Sequence, residues 1–211
     1  MKSFDLREVL AVACAIYRAN GNKVVKFNED KIPASKDVIA AHFIKGETVE
    51  VTDADRTSGE EVLNNIQHRS LMMQIANRKQ GSFVDNVTQI LQADKVPANR
   101  LGFVVWAPKI AESIRLEDQQ KLDLAQLALT SNYIGTVGDK ITVNFTPIRN
   151  RFSREYNCYR CFGHDDHGNL VGFLSKKELT GKIVGRVKTQ EVSKYNSGGK
   201  VTYINYVKEA K

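Results

Sequence analysis

Lys140-Ile141-Thr142-Val143-Asn144-Phe145-Thr146-Pro147-Ile148 sets Ile141, Val143 and Phe145 against Thr142, Asn144 and Thr146. Side chains of a strand alternate between two faces, so this run predicts a half-buried β-strand with its apolar residues on one side. The texture continues to the end of the chain. A second strand is expected from about Phe152 to His164, and Asp165-Asp166-His167-Gly168-Asn169 has the chemistry of a tight turn leading into a third, Leu170 to Leu174. Gly181 to Thr189 and Val201 to Lys208 supply two more, joined by the loop from Val192 to Lys200 with its Ser197-Gly198-Gly199 tip. Five short strands in succession suggest a closed or partly closed small barrel, because closure removes exposed sheet edges.

Upstream the period changes. Leu6, Val9, Leu10, Ala13, Ile16 and Tyr17 recur at helix spacing and Asn20-Gly21-Asn22 supplies a stop. Lys23 to Asn28 is expected as a short strand. Ser35 is expected to cap a helix carrying Val38, Ile39, His42 and Phe43 that ends before Gly46. Thr52-Asp53-Ala54-Asp55 resembles a second capped start, followed by an apolar pattern through Val62, Ile66, Leu71, Met72 and Ile75 to Gly81. Further helices are expected over 83–91, 108–114 and 116–129, with Pro108 suited to a first turn. Leu101 to Trp106 is too short and apolar to assign. The predicted class is α+β: a mainly helical region over residues 1–130, then a five-stranded, oligonucleotide-binding-type (OB-like) basic barrel over 131–211.

Charge separates the same two regions. Residues 1–130 hold 17 Lys and Arg against 17 Asp and Glu, whereas residues 131–211 hold 14 against 7, so the whole net charge of +7 lies in the second region. Ten of the 17 aromatic residues lie there too. Cations that track phosphates, mixed with rings that stack on bases, are what single-strand binding uses. An OB-type barrel binds with the face of strands two and three and with the loops joining strands one to two and four to five. Here the first of those loops carries Arg149, Arg151 and Arg154, and the last carries Lys194, Tyr195 and Lys200. One parity of strand two carries Arg154, Tyr156, Arg160 and Phe162, the other Tyr159 and Cys161, and alternation alone leaves open which face is buried. Arg186 and Lys188 are expected on one face of strand four. The candidate nucleic-acid contacts are therefore Arg149, Arg151, Arg154, Tyr156, Arg160, Arg186, Lys188, Lys194, Tyr195 and Lys200.

The run Asp166-His167-Gly168-Asn169-Leu170-Val171-Gly172-Phe173, then Lys176-Lys177-Glu178-Leu179, Gly185-Arg186-Val187-Lys188 and Thr202-Tyr203-Ile204-Asn205-Tyr206-Val207-Lys208, resembles bacteriophage single-stranded DNA-binding proteins of the OB fold. The likeness covers roughly the last 80 residues and is one of texture rather than of an invariant motif. It implies a non-enzymatic protein of phage-type DNA replication or recombination, with single-stranded nucleic acid as partner, DNA ahead of RNA, and a replication protein as a further partner. The acidic closing tail of bacterial-type single-strand binders is not matched by Val207-Lys208-Glu209-Ala210-Lys211, so recruitment through such a tail is not expected. The alternative is a structural or protein-interaction module docking a replication partner, with a metal-dependent nuclease behind it.

Competing chemistry is sparse. Cys158, Cys161, His164 and His167 place four zinc-type ligands within ten residues. Residues three apart in a strand face opposite ways, so the four converge only through a sharp bulge, and the expectation is no metal and no cofactor. Asp53, Asp55, Glu60 and Glu61 could serve a Mg²⁺-dependent nuclease, but acidic residues in a first turn also simply complement the helix dipole. No Gly-x-x-x-x-Gly-Lys loop occurs. Three cysteines, Cys14, Cys158 and Cys161, cannot all pair, and Met1-Lys2-Ser3-Phe4-Asp5 lacks a secretory apolar stretch. The expected location is cytoplasmic, that of an infected bacterial host for a phage protein, with no membrane partner.

Overall fold

The computed structural model describes residues 2–28, 32–76, 82–193 and 198–210. Packing divides the chain into two compact units, Met1–Glu117 and Asp118–Lys211. Among the described residues no helix is long and apolar enough to cross a membrane.

The first unit is built around α1, Leu6–Ala19. Asp5 starts it by accepting from the Arg7 and Glu8 N–H groups, and Gly21 and Asn22 end it in the left-handed region at φ 64° and 60°. Apolar on nearly every side, α1 is almost wholly buried, as a helix without a polar face must be. Around it lie α2 (Ser35–Ala40, extended by a π turn Ala41–Lys45), α3 (Asp53–Ile75), α4 (Ser82–Ile90), α5 (Leu101–Val104) and the start of α6 (Ala107–Thr130). Two short strands, β1 (Ser3–Asp5) and β2 (Lys95–Pro97), pair antiparallel beside them. Val9, Leu10, Ile39, Ile66, Val87, Leu91 and Val104 form the centre of the core.

Several expectations change here. Residues 23–28 form no strand: the Val25 carbonyl accepts from the Ser35 N–H, and the Val25 N–H donates to the Ser35 hydroxyl. That bond takes Ser35 out of capping, and Ala34 occupies the cap position instead. In α3 the apolar pattern is only half buried, with Val62 and Ile66 in the core and Leu71, Met72 and Ile75 exposed. The segments at 108–114 and 116–129 are one helix, because Arg115 between them is a good helix former. Leu101 to Val104 is a helical turn whose Leu101 and Val104 are buried.

Thr52 caps α3 through a reciprocal box with Asp55, and Asp55 also takes two bonds from Arg18 of α1, Nε to Oδ1 and Nη2 to Oδ2, each 2.9 Å. The hydrogen-bonded Arg18 guanidinium, followed by Thr52, holds the Asp55 carboxyl well below the usual carboxylate range against the opposing effect of burial. Asp55 is buried and Arg18 is about half exposed, at 53%, so removing either partner costs differently. Arg18→Ala strands a buried carboxylate and is expected to cost about 2–3 kcal/mol, the low end for a broken buried pair because water reaches the arginine side. A depressed carboxylate contributes stability that is present above its unfolded value near pH 4 and is lost as pH falls toward the folded one. The wild-type first unit, followed by fluorescence of Trp106, the single tryptophan, should therefore lose stability below about pH 4, and Asp55→Asn should flatten that loss.

The second unit is the barrel. Its strands are β3 (Lys140–Ser153), β4 (Cys158–His164), β5 (Leu170–Ser175), β6 (Gly181–Val192) and β7 (Lys200–Glu209), closed in the order β3-β4-β5-β7-β6. Every pairing is antiparallel except β5 with β7, which is parallel. This is an OB-like barrel, joined to a helical N-terminal half in an α+β chain. Val143, Phe145, Cys161, Val171, Phe173, Ile183, Val187 and Ile204 fill its interior. Leu124, Leu127 and Ala128 of α6 pack on the opposite face of the sheet, against Phe162, Leu170 and Val201. Ser131 ties this helix end to the sheet, donating to the Lys200 carbonyl at 2.6 Å and accepting from the Leu170 N–H at 2.9 Å. α6 ends at Thr130 and the first barrel strand begins at Lys140, while packing assigns α6 from Asp118 onward to the barrel unit.

β3 is longer than its alternation suggests. An extra residue at Ile148 interrupts the ladder, after which pairing resumes from Arg149↔Phe162 to Ser153↔Cys158. Phe152 and Ser153 thus belong to β3 rather than β4, and the two strands are joined by a turn at 154–157 with Asn157 at φ 45°.

Candidate nucleic-acid interface

The β4 parity that sequence leaves open is resolved by packing. Tyr159 and Cys161 face the barrel interior, and Arg160 and Phe162 face outward. The bulge at Ile148 then decides the fate of two arginines. Val143 and Phe145 point inward, and uninterrupted alternation would send 147, 149 and 151 inward as well. The extra residue inverts the parity, so Arg149 lies opposite the outward Phe162 and Arg151 opposite the outward Arg160.

These residues border a groove of about 590 Å³ that crosses the outer faces of the barrel strands. Arg149, Arg151 and Arg160 line it with Lys188, and so do Phe162, Tyr203, Asn205 and Tyr206. Its floor is built by a missing side chain. Gly172 of β5 is in register with Tyr203 of β7, and a Cβ placed on Gly172 would stand 2.6 Å from the Tyr203 ring. The ring therefore lies across the β5 backbone in space that only glycine leaves. Burial, then the charge of Glu191, pushes the Tyr203 phenol up.

Tyr206 lines the groove, and two further exposed rings lie at the β3–β4 end of the barrel. Tyr156 lies in the β3–β4 turn with the Arg160 guanidinium 5.5 Å from its ring centre, a cation–π arrangement. Phe152 packs edge-on against Tyr159 at 5.2 Å. Tyr206 is 79% exposed and sits at φ 54° in a second irregularity, where Tyr206 and Val207 of β7 oppose Gly185 of β6. A bulky residue in the left-handed region is a strained placement.

Of the remaining sequence candidates, Arg154 lies in the β3–β4 turn beside Tyr156. Arg186 is exposed opposite Asn205 but does not line the groove, whereas Lys188, at a bulge in β6, does. Lys200 turns elsewhere: its Nζ donates to the Asn132 side-chain Oδ1 at 3.2 Å and lies 5.9 Å from the Tyr133 ring centre. Lys194 and Tyr195 lie outside the described residues.

The cysteine and histidine cluster is spread out. Cys161 faces the interior, where burial pushes its thiol up, and the His164 Nδ1–H donates to the Asp165 carbonyl at 2.7 Å. His167 sits in the turn that the Asp165 carboxylate holds by accepting from the His167 and Asn169 N–H groups. Among the described residues no three histidine, cysteine or acidic side chains are grouped to hold a metal ion.

Sequence reading missed Gly172, Glu191, Tyr203, Asn205 and Tyr206 as site residues. The aromatic content of β7 was the available signal, but its facing depends on the parallel pairing with β5. Compared with family models, with curated proteins and with solved structures, the chain finds no match in any of the three, so the functional reading stands on the barrel and its groove.

Proposed function

We propose that the protein binds single-stranded nucleic acid, DNA ahead of RNA, along the outer face of β4 and β5, as a non-enzymatic component of phage-type replication or recombination. The observation that carries this reading is the convergence of Arg149, Arg151, Arg160 and Lys188 with Phe162, Tyr203 and Tyr206 in one groove on the barrel face where OB-type ligands lie. Cations there hold phosphates, and rings hold unpaired bases, which a duplex keeps stacked inside.

Titration of fluorescent single-stranded and duplex oligonucleotides at two salt concentrations tests it. Single strands should bind more tightly than duplex, with affinity falling by a slope of about 0.7 in log–log form per phosphate contacted. Equal affinity for both forms, or none for either, would favour a protein-docking barrel instead.

Tyr206 gives a second expected outcome. Tyr206→Gly relieves about 1–2 kcal/mol of left-handed strain, which offsets the roughly 0.5–1 kcal/mol entropic cost of glycine, so the melting temperature should hold or rise. Affinity should nevertheless fall about tenfold at every salt concentration, because a stacked base contributes about 1–3 kcal/mol without counterion release. Unchanged affinity would remove Tyr206 from the interface.

A further inference from the structure

We infer that the groove reads bases as well as phosphates, with Glu191 as the acceptor for the Watson–Crick edge of guanine in a single strand. This rests on the single-strand reading above.

Glu191 is the only carboxylate among the described residues lining the groove, in the company of four cationic side chains. It makes no hydrogen bond or ion pair with them or with any other described residue. Its strand position explains its direction: Thr189 of β6 is in register with Tyr203 and Glu191 with Val201, so both β6 residues stand on the outward face beside the Tyr203 ring. The charge is near enough to that ring to help raise its phenol. On a surface that only tracks phosphates, such a carboxylate works against binding by like-charge repulsion. Beside a stacking ring, it instead meets the edge of the stacked base.

A carboxylate offers two acceptor oxygens and no donor. Guanine presents two adjacent donors on its Watson–Crick edge, N1–H and N2–H, which match those oxygens in a parallel pair. Cytosine and adenine offer one amino group beside a ring nitrogen acceptor, and thymine one N–H between two carbonyls that the carboxylate repels. The expected order is guanine first and thymine last. The same groove contains a second unmet acceptor, the Asn205 Oδ1, which has no donor among the described residues.

The test uses the full chain and fluorescent oligonucleotides of one length: oligo-dT, the same strand with guanine at alternate positions, and a third with hypoxanthine in place of guanine. Hypoxanthine lacks only the N2 amino group. At salt high enough to screen phosphate attraction, the guanine strand should bind wild type about tenfold more tightly than oligo-dT, in keeping with a bidentate base contact, and hypoxanthine should lose most of that gain. Glu191→Gln, with its fold confirmed by circular dichroism, should bind oligo-dT more tightly than wild type and lose the preference for guanine. The inference is overturned if wild type binds guanine and thymine strands alike, or if Glu191→Gln tightens all three strands by one factor, which would make Glu191 a repulsive charge and nothing more. Binding of none of the strands would instead defeat the single-strand reading itself.

Discussion

Replacing Arg151, Arg160 and Lys188 together with alanine is expected to weaken single-strand binding by roughly several hundredfold at 50 mM salt and roughly thirtyfold at 200 mM, from a slope of about 0.7 per phosphate lost. The log–log salt slope itself should shrink by about 2. These three line one groove from three different strands, so their loss removes the electrostatic track and not a local contact. Arg160 also leaves the Tyr156 ring without its cation, so part of the loss should persist at high salt. Arg186 and Lys200 make a matched control, since both are cationic and neither lines the groove. Their double alanine variant should bind nearly as wild type does, apart from a weak long-range effect. Equal logarithmic losses per charge removed in the two variants would mean that binding follows net charge and that the groove has no special place in it. The measurement is fluorescence anisotropy across a salt series, with each variant's melting temperature as the check on folding.

A large loss of stability is expected from Gly163→Ala. Gly163 lies in β4, in register with Pro147 and Val171. A Cβ there would collide with the backbone carbonyl oxygen of Thr146 and stand 2.7 Å from the Phe145 ring, the largest fully buried side chain. Rotation of Phe145 relieves only the second contact. The first needs movement of the β3 backbone, which means opening the ladder next to the bulge at Ile148. Overpacking a closed core commonly costs about 1–3 kcal/mol, and a backbone clash belongs at or above the upper end, a large part of a domain's usual 5–15 kcal/mol. Far-UV circular dichroism of the sheet should show the destabilisation more strongly than Trp106 emission, because Trp106 packs in the core of the first unit. A barrel that melts as wild type does would show that β3 yields freely at this point. Gly172→Ala makes an informative companion, since its Cβ would crowd the Tyr203 side chain and reach the Phe162 ring only at ordinary contact distance. That variant should keep its fold and lose affinity as the ring is displaced.

Local chemistry was enough for much of this molecule. The alternation at 140–146, the turn at 165–169, the stop at Asn20-Gly21-Asn22 and the capped start at Thr52 all appear where their residues predict, because each is decided by neighbours within a few positions. The separation of charge likewise needs no fold: a helical half without net charge and a basic, ring-rich last third follow from counting. Local rules failed wherever a distant partner competed. Ser35 gives up capping because Val25 offers it another bond, and Leu71, Met72 and Ile75 are apolar yet uncovered, since periodicity marks a face without supplying what packs on it. The site was the least legible part. A strand's alternation holds only until an extra residue is inserted, and the insertions at Ile148, Lys188 and Tyr206 are set by how each strand meets its neighbours across the closed barrel. Sequence alone determined that cations and rings gather in the last third of the chain. Only the tertiary structure decided which of them share a groove, because bulge positions and the parallel pairing that brings Tyr203 onto Gly172 depend on contacts between residues far apart in the chain.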